Sequence, residues 1–543
     1  MPGLYLLSNA WGPKAGGINA FNTDFAKALG LALAGQVPVG CVVLEADDAD
    51  RIDAERSQVR LVSIGKSPTH SDIDPSRAYD IAAALRKEGL PVDGACWVGN
   101  DIISADVALR MRDVVEDATV VLIHHMSYID YQGFKHGVAK AADDKHKRQR
   151  DLFARADRSF GVGPLLRDRL ADLLPADAPE AGLIVPGLPD VQARAAPSVF
   201  TACSFGRLDP ENDRIKQGRL AVAGFAEMVA QSDRPGMPKS LKRPPQLRLI
   251  GIGAAGGAEE QGLRAFAEQR AGRAVSLLAL PYDDDRQAVL NDLARSSAAL
   301  MLSWYEGFGL TGWEAIGAEV PLILGTNSGL HELIDDRLGG AGTGCVRGID
   351  IQGRSGGTGG EATSDDDPVH FTDDDVHQVC KALLDIARDP DRGRADAKRL
   401  RQMLLDDGCT WQDAARRFAE DLGLPLPPAP QPQLRRRPAA VTPPRPAATN
   451  RTSQNPRMPP PAAPRWTSPN VSPIPNRPPR CSPRAGCCAP TPSASPSTPP
   501  ASRSCTSCWT GRRTRTATRP RCSYASAPAG SARPGCCASS AIG

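Results

Sequence analysis

Short apolar runs alternate with longer amphipathic stretches along most of the chain. Leu4–Ser8, Val39–Leu44, Val59–Ile64, Ala95–Val98, Thr119–His124 and Ser159–Val162 have the length and composition of buried strands. Helical stretches such as Asn19–Ala34 and Ala78–Lys87 lie between them. A proline-marked break over Val185–Pro197 separates this series from a second one. Its strands are expected near Phe200–Phe205, Leu247–Ile252, Val275–Leu280, Leu300–Ser303 and Leu322–Leu324. Its helices are expected at Arg214–Ala230, Glu259–Arg270, Arg286–Ser296, Trp313–Ala318 and Val376–Arg388, with a last one around Trp411–Leu422. Strand–helix alternation twice over predicts an α/β protein of two doubly wound, Rossmann-like domains facing a cleft. Leu338–Asp367, rich in Gly, Asp and Thr, reads as a long mobile loop.

Composition divides the chain near Leu424. From Pro425 to Gly543 there is no Asp, Glu, Lys or His, and Pro, Ser, Ala, Thr, Arg and Cys dominate. This segment holds 17 of the 65 basic residues, so it carries +17; the remaining 48 basic against 62 acidic residues give −14. The overall +3 is therefore a cancellation. Such a segment cannot bury enough apolar surface to offset its chain entropy, and disorder is expected. Arginine without lysine, beside paired cysteines, also fits a GC-rich coding strand read out of frame, the reading preferred here over a native linker or a nucleic-acid-binding tail. No nucleic-acid partner is expected.

Six cysteines, Cys41, Cys96, Cys203, Cys345, Cys380 and Cys409, are scattered through the first part without paired spacing. They read as reduced core thiols of a cytoplasmic protein. Cys505 and Cys508 have zinc-ligand spacing, but no histidine accompanies them in the tail. The amino terminus lacks the basic start and long apolar run of a signal peptide, and no stretch is long and apolar enough to span a bilayer. At most peripheral membrane contact is expected.

The chemistry concentrates in SWYEGFGLTGWEAIGAEVPLILGTNSGLHELI, Ser303–Ile334. Ala298–Ser303 suits a strand covered on both faces, which places Glu306 just past its carboxyl end. Gly307 and Gly309 permit a tight turn, and Thr311 or Gly312 can start a helix whose first N–H groups are unpaired and attract phosphate. Glu314 then falls in the first turns of that helix. Both carboxylates can face the crevice above the sheet, where open α/β folds bind ligands, and can hold sugar or ribose hydroxyls. The alternative is a pair of solvated acids favoured near a helix N-terminus.

These residues resemble the signature of family 4 glycosyltransferases of the GT-B fold, the retaining group that includes sucrose-phosphate synthase-like and bacterial polysaccharide enzymes. The resemblance spans roughly residues 3–422, and its most specific element is E-x7-E, here Glu306 and Glu314 in EGFGLTGWE. It implies an acceptor-side domain at 1–195, a nucleotide-sugar-binding domain at 196–408 and a crossover helix at 409–424 that packs back across the first domain. The first glutamate would contact the donor sugar and the second the ribose, with backbone donors from Gly307, Phe308, Gly309 and Leu310. Gly16 and Gly17 resemble the glycine loop that approaches the donor diphosphate. His125, ending a strand, resembles the histidine that reaches the donor sugar, whereas its neighbour His124 should point into the core. Arg207, in Ser204–Glu211, matches the arginine that binds the diphosphate. The lysine expected five residues later is replaced by Asn212, and Lys216, or Arg214, would supply the missing charge.

The implied activity is metal-independent transfer of a hexose from a nucleoside diphosphate sugar to a glycan, lipid or small-molecule acceptor, with no cofactor. Acceptor contacts would come from first-domain loops around Ser127–Lys147. Two other readings stay open: a catalytically weak module that binds a nucleotide sugar or a protein, motivated by Asn212, and a same-fold epimerase or phosphorylase. Gly251–Gly256 imitates a dinucleotide fingerprint, but no acidic residue ends the next strand at the usual distance. Asp283–Asp285 imitates a metal-binding DxD, yet these aspartates can simply cap the next helix.

Overall fold

The computed structural model describes residues 2–427, apart from 15, 67–71, 133–138, 193, 206–212, 253–256, 282–284 and 353–370. The tail from 428 onward, with Cys505 and Cys508 and the expectations attached to them, lies outside the described residues. So do Arg207 and Asn212, four positions of the dinucleotide-like segment (253–256), and Asp283 and Asp284.

Two parallel sheets form the architecture, both within one compact unit, Met1–Ala440. The first has seven strands: β1 (Leu4–Leu7), β2 (Val39–Val43), β3 (Val59–Ser63), β4 (Cys96–Asn100), β5 (Thr119–His124), β6 (Arg158–Val162) and β7 (Gly182–Ile184). Their spatial order is β3-β2-β1-β4-β5-β6-β7. The second has six: β8 (Thr201–Phe205), β9 (Gln246–Ile250), β10 (Ser276–Leu280), β11 (Ala298–Met301), β12 (Leu322–Gly325) and β13 (Arg347–Ile349), ordered β10-β9-β8-β11-β12-β13. In each sheet the winding reverses beside its first strand, β1 or β8. Helices diverge there and leave a crevice outside the carboxyl ends of the strands.

Central strands are largely apolar because helices cover both faces, with Thr201 and Ser204 of β8 and Asn100 of β4 as buried polar exceptions. Leu4, Leu6 and Cys41 face one layer, Tyr5, Leu7 and Val42 the other, and all six are fully buried. Register follows from this pattern, with Leu6 opposite Cys41 on one side and Val98 on the other. The last helix, Trp411–Asp421, lies against Gly17–Ala32 of the first sheet's layer. Trp411 and Phe418 pack there on Phe21, Phe25 and Phe160.

The structure departs from the sequence reading in several places, and the helices Gly329–Leu338 and Pro390–Asp406 were not expected at all. The helix expected at Arg214–Ala230 is two pieces, Asp213–Lys216 and Gly218–Gln231, because Gln217 between them is left-handed (φ 55). The break turns Lys216 away from the long helix and toward the cleft. Short edge strands β7 and β13, three residues each, had too little apolar run to register. Ser127–Lys147 is not simply loop, since helices Tyr128–Gln132 and Ala139–Phe153 occupy much of it. Within Leu338–Asp367, the segment to Gln352 holds a turn of helix at Gly340–Thr343 and then β13, since Ile349 and Ile351 are buried; its remainder is outside the described residues.

Candidate functional site

A cavity of about 1350 Å³ opens between the carboxyl ends of the two sheets. From the first sheet it is lined by the loops after β1, β2 and β3, including Gly16, Gly17, Lys14 and Asp47. From the second it is lined by Phe205, Lys216, Ile250, Arg286, Leu310 and Glu314, among others. Its size suits a ligand larger than a single sugar.

Two helices point their amino ends into this space. Gly16 caps the helix Gly17–Ala32 at φ +111, and Gly309 caps the helix Leu310–Gly317 at φ +104; both values favour glycine. The helix thus starts at Leu310, one residue before the earliest start expected. A Cβ placed on Gly17 would lie 3.3 Å from Leu310 Cδ1, so the two helix starts nearly touch across the cleft. Unpaired N–H groups at both ends make this a place for an anion.

Glu306 sits past β11, where its backbone bridges to Ser328 and its carbonyl accepts from Gly329 N–H at 2.9 Å. Its side chain pairs with Lys216, Nζ to Oε2 2.6 Å, and each partner is about one-fifth exposed (19% and 20%). The sequence reading placed Lys216 only as a replacement charge; the structure ties it to the first glutamate of the signature. Gly307 and Phe308 anchor the turn on the first sheet's side: a Cβ on Gly307 would meet Leu166, and one on Gly163 would meet Phe308. The Phe308 side chain is buried and T-stacked on Trp313.

Glu314 lines the cavity and accepts from Arg286, Nη2 to Oε1 3.2 Å. Burial raises the Glu314 carboxyl above its ordinary range, and Arg286 offsets part of that rise. Arg286 also reaches Asp24 on the first sheet's helix, Nη1 to Oδ2 2.5 Å. Burial would lower the guanidinium, but the two carboxylates outweigh it and raise it. Sequence reading missed Asp24 and Arg286. The nearby aspartate run drew attention to itself, and Asp285, its described member, caps the helix Arg286–Ala294 by accepting from Gln287 and Ala288 N–H.

His125 is held on the first sheet's side. Its Nε2 lies 2.9 Å from Asn100 Oδ1, and its ring meets the edge of Phe21, which lines the cavity. Asn100 spends its NH₂ on Leu7 O and Asn22 Oδ1, so its oxygen accepts and His125 donates from Nε2. Burial pushes the His125 imidazole down to about 4, neutral at ordinary pH. His125, Glu306, Gly307, Phe308 and Gly309 are not among the residues that line the cavity, although Glu306 contacts Lys216, which does.

Beneath His125, a fully buried Asp101 accepts from His125 N–H at 2.7 Å, His124 Nδ1 at 3.0 Å and Gln149 Nε2 at 2.7 Å. Burial would raise this carboxyl, but its interactions with the two histidines hold it below the usual range. An acid just past the end of apolar β4 was the available signal for this residue. His124 is fully buried, in the core as strand alternation required.

The first sheet's wall is mixed in charge: Lys14 lies between Asp47 and Asp50 at 3.4 and 3.3 Å, and Lys66 pairs with Glu45 at 2.6 Å. Among the described residues no group of three or more His, Cys, Asp or Glu side chains is arranged for a metal ion. No described helix is long and apolar enough to cross a membrane.

Comparisons with known proteins bear on the family and the fold. A family model described as family 4 glycosyltransferase in conflict systems matches residues 5–418. No curated protein sequence matches the chain. Among solved structures, sucrose-phosphate synthase from Thermosynechococcus elongatus is similar at TM-score 0.54 and 16% identity, covering 78% of this chain and 98% of that one. A UDP-forming trehalose-phosphate synthase from Burkholderia xenovorans, solved with glucose-6-phosphate, is similar at TM-score 0.51 and 13% identity, covering 77% and 100%. Anabaena HepE, solved with UDP and glucose, is similar at TM-score 0.50 and 14% identity, covering 78% and 100%. At these identities the likeness is one of fold, and the fold is GT-B.

Proposed function

The chain belongs to family 4 of the glycosyltransferases, and from that premise we propose that it moves a hexose from a nucleoside diphosphate sugar to an acceptor hydroxyl with retention of anomeric configuration. The observation that carries this reading is the Lys216–Glu306 pair at 2.6 Å, beside two helix amino ends that face each other across a large cavity. Breaking the bond between sugar and diphosphate builds negative charge on the leaving phosphates. Lys216 and the first N–H groups after Gly16 and Gly309 are donors fixed in advance for that charge. Arg207, assigned by resemblance, would add to them.

Glu306, held by Lys216, would accept from donor-sugar hydroxyls, and Glu314 would accept from the ribose. His125, neutral and donating from Nε2 to Asn100, leaves its Nδ1 as an acceptor for a sugar hydroxyl. The acceptor hydroxyl would attack from the face the diphosphate leaves, with its proton passing to a departing phosphate oxygen. No residue then needs to form a covalent intermediate, and no metal is required because the charge is met by N–H groups and cations. The domain boundaries at 195 and 408 and the crossover helix follow from the same reading. HepE was solved with UDP and the Burkholderia synthase is UDP-forming, so uracil is the first base to try.

The test is release of nucleoside diphosphate from UDP-, GDP- and ADP-hexoses, with NMR of the sugar product. A product of the donor's own anomeric configuration supports the proposal. Absence of cleavage with every donor refutes transfer, and an inverted product refutes the mechanism.

A further inference from the structure

Arg286 opens the helix Arg286–Ala294 and reaches in two directions. Its Nε and Nη2 lie 3.3 and 3.2 Å from Glu314 Oε1, and its Nη1 lies 2.5 Å from Asp24 Oδ2. The two carboxylates stand on different helices: Asp24 on Gly17–Ala32, packed on the first sheet, and Glu314 on Leu310–Gly317, packed on the second. These are the two helices whose glycine-headed amino ends meet at the cleft, Gly17 beside Leu310. All three charged side chains line the cavity and are less than one-third exposed, Arg286 29%, Asp24 21% and Glu314 18%.

We infer that Arg286 is a positioning residue of the donor site, a brace that fixes the gap between the two helix starts and holds Glu314 in place for the ribose. This rests on the donor-site reading above. A helix end's attraction for an anion fades within its first turn, so the spacing of two such ends decides whether one diphosphate feels both. A misplacement of about 1 Å can cost on the order of a hundredfold in rate. Arginine suits the task because its planar fork can meet two carboxylates in different directions, whereas a lysine ammonium is a point charge. Both Arg286 contacts to Glu314 fall on Oε1, and a ribose hydroxyl would donate to Oε2. The brace closes only when the two sheets approach, so donor affinity and cleft closure are linked through it.

The experiment compares the full chain with Asp24→Asn, Asp24→Glu and Arg286→Lys. It measures nucleoside diphosphate release against donor concentration, donor-induced compaction by small-angle scattering, and Tm. The donor reading gives Asp24 no substrate contact, so Asp24→Asn acts only through Arg286. It should raise the donor KM about tenfold, the equivalent of roughly 1.4 kcal/mol, and reduce compaction while Tm stays within about 2 °C. Asp24→Glu should recover part of the loss, and Arg286→Lys should resemble Asp24→Asn. Combining Asp24→Asn with Arg286→Lys should cost less than the two single effects added. Donor KM and compaction unchanged within about twofold in Asp24→Asn overturn the brace, as does a KM change that merely tracks Tm across the variants. A wild-type protein that neither binds nor cleaves any nucleotide sugar overturns the donor reading, and the brace with it.

Discussion

Replacing Lys216 by methionine keeps much of the side-chain volume and removes the cation beside Glu306. At the observed 2.6 Å the gross attraction is on the order of 6 kcal/mol for an effective dielectric of about 20. Much of that offsets the desolvation of two groups each about four-fifths buried, so the net contribution of the pair is smaller. Loss of one partner leaves Glu306 facing its burial alone, a penalty of about 1–3 kcal/mol, between the values for surface and fully buried pairs. Chemical denaturation should show that loss, with Tm falling by about 2–4 °C for each kcal/mol. Turnover should suffer more. A preorganised donor aimed at developing charge is worth roughly a hundred- to a thousandfold in kcat. Steady-state release of nucleoside diphosphate measures this, and Lys216→Arg should restore part of it. If Lys216→Met stays within about threefold of the wild-type kcat, less than 1 kcal/mol of transition-state stabilisation, Lys216 does not meet the leaving group. If it loses turnover only in proportion to folded protein, the pair is structural.

Three further outcomes follow from single sites. Gly309→Ala forces an L residue to φ +104 and sets its Cβ 2.7 Å from Met301 Cε; the methionine end can swing away but the backbone strain stays, costing about 1–3 kcal/mol in urea unfolding and more in donor KM. Burial holds His125 near 4 against about 6.5 unfolded, so the unfolded chain binds a proton first as pH falls. Stability should drop by about 3 kcal/mol between pH 6.5 and pH 4 from this group, and His125→Gln should flatten that part of the profile; an unchanged slope refutes the assignment. Burial pushes the thiols of Cys41, Cys96, Cys203 and Cys380 up to about 12, and that of Cys409 to about 11. They should resist thiol reagents at pH 8 until the protein is unfolded, and rapid native labelling at any of them, located by peptide mass, would refute their burial.

Much of the fold was legible because its strands are covered on both faces. Continuous apolar runs such as Thr119–His124 and Ala298–Met301 announce themselves, whereas β7 and β13, three residues at sheet edges, do not. Glu306 and Glu314 could be singled out because the glycines between them leave few other uses for the segment. The sequence could place Lys216 on a helix but could not see that Gln217 would turn left-handed and swing it to Glu306. Asp24 and Arg286 are 262 positions apart, and nothing local marks either. Charged residues on helices usually face water, so only the packed structure distinguishes this pair from an ordinary solvated one. Asp101 was hidden for the opposite reason: its partners are a backbone N–H and the two side chains His124 and Gln149, which come together only when β4 lies beside β5 and the helix Ala139–Phe153 packs near them.

Calorimetric titration with UDP, GDP, ADP and their hexose forms bears most directly on the donor site, with Glu314→Ala as the companion variant. The account predicts that at least one diphosphate binds the wild-type chain in the micromolar range, about −8 kcal/mol. Removing the proposed ribose contact should weaken that binding at least about tenfold. No binding by any of the nucleotides, or binding that Glu314→Ala leaves unchanged, would contradict it.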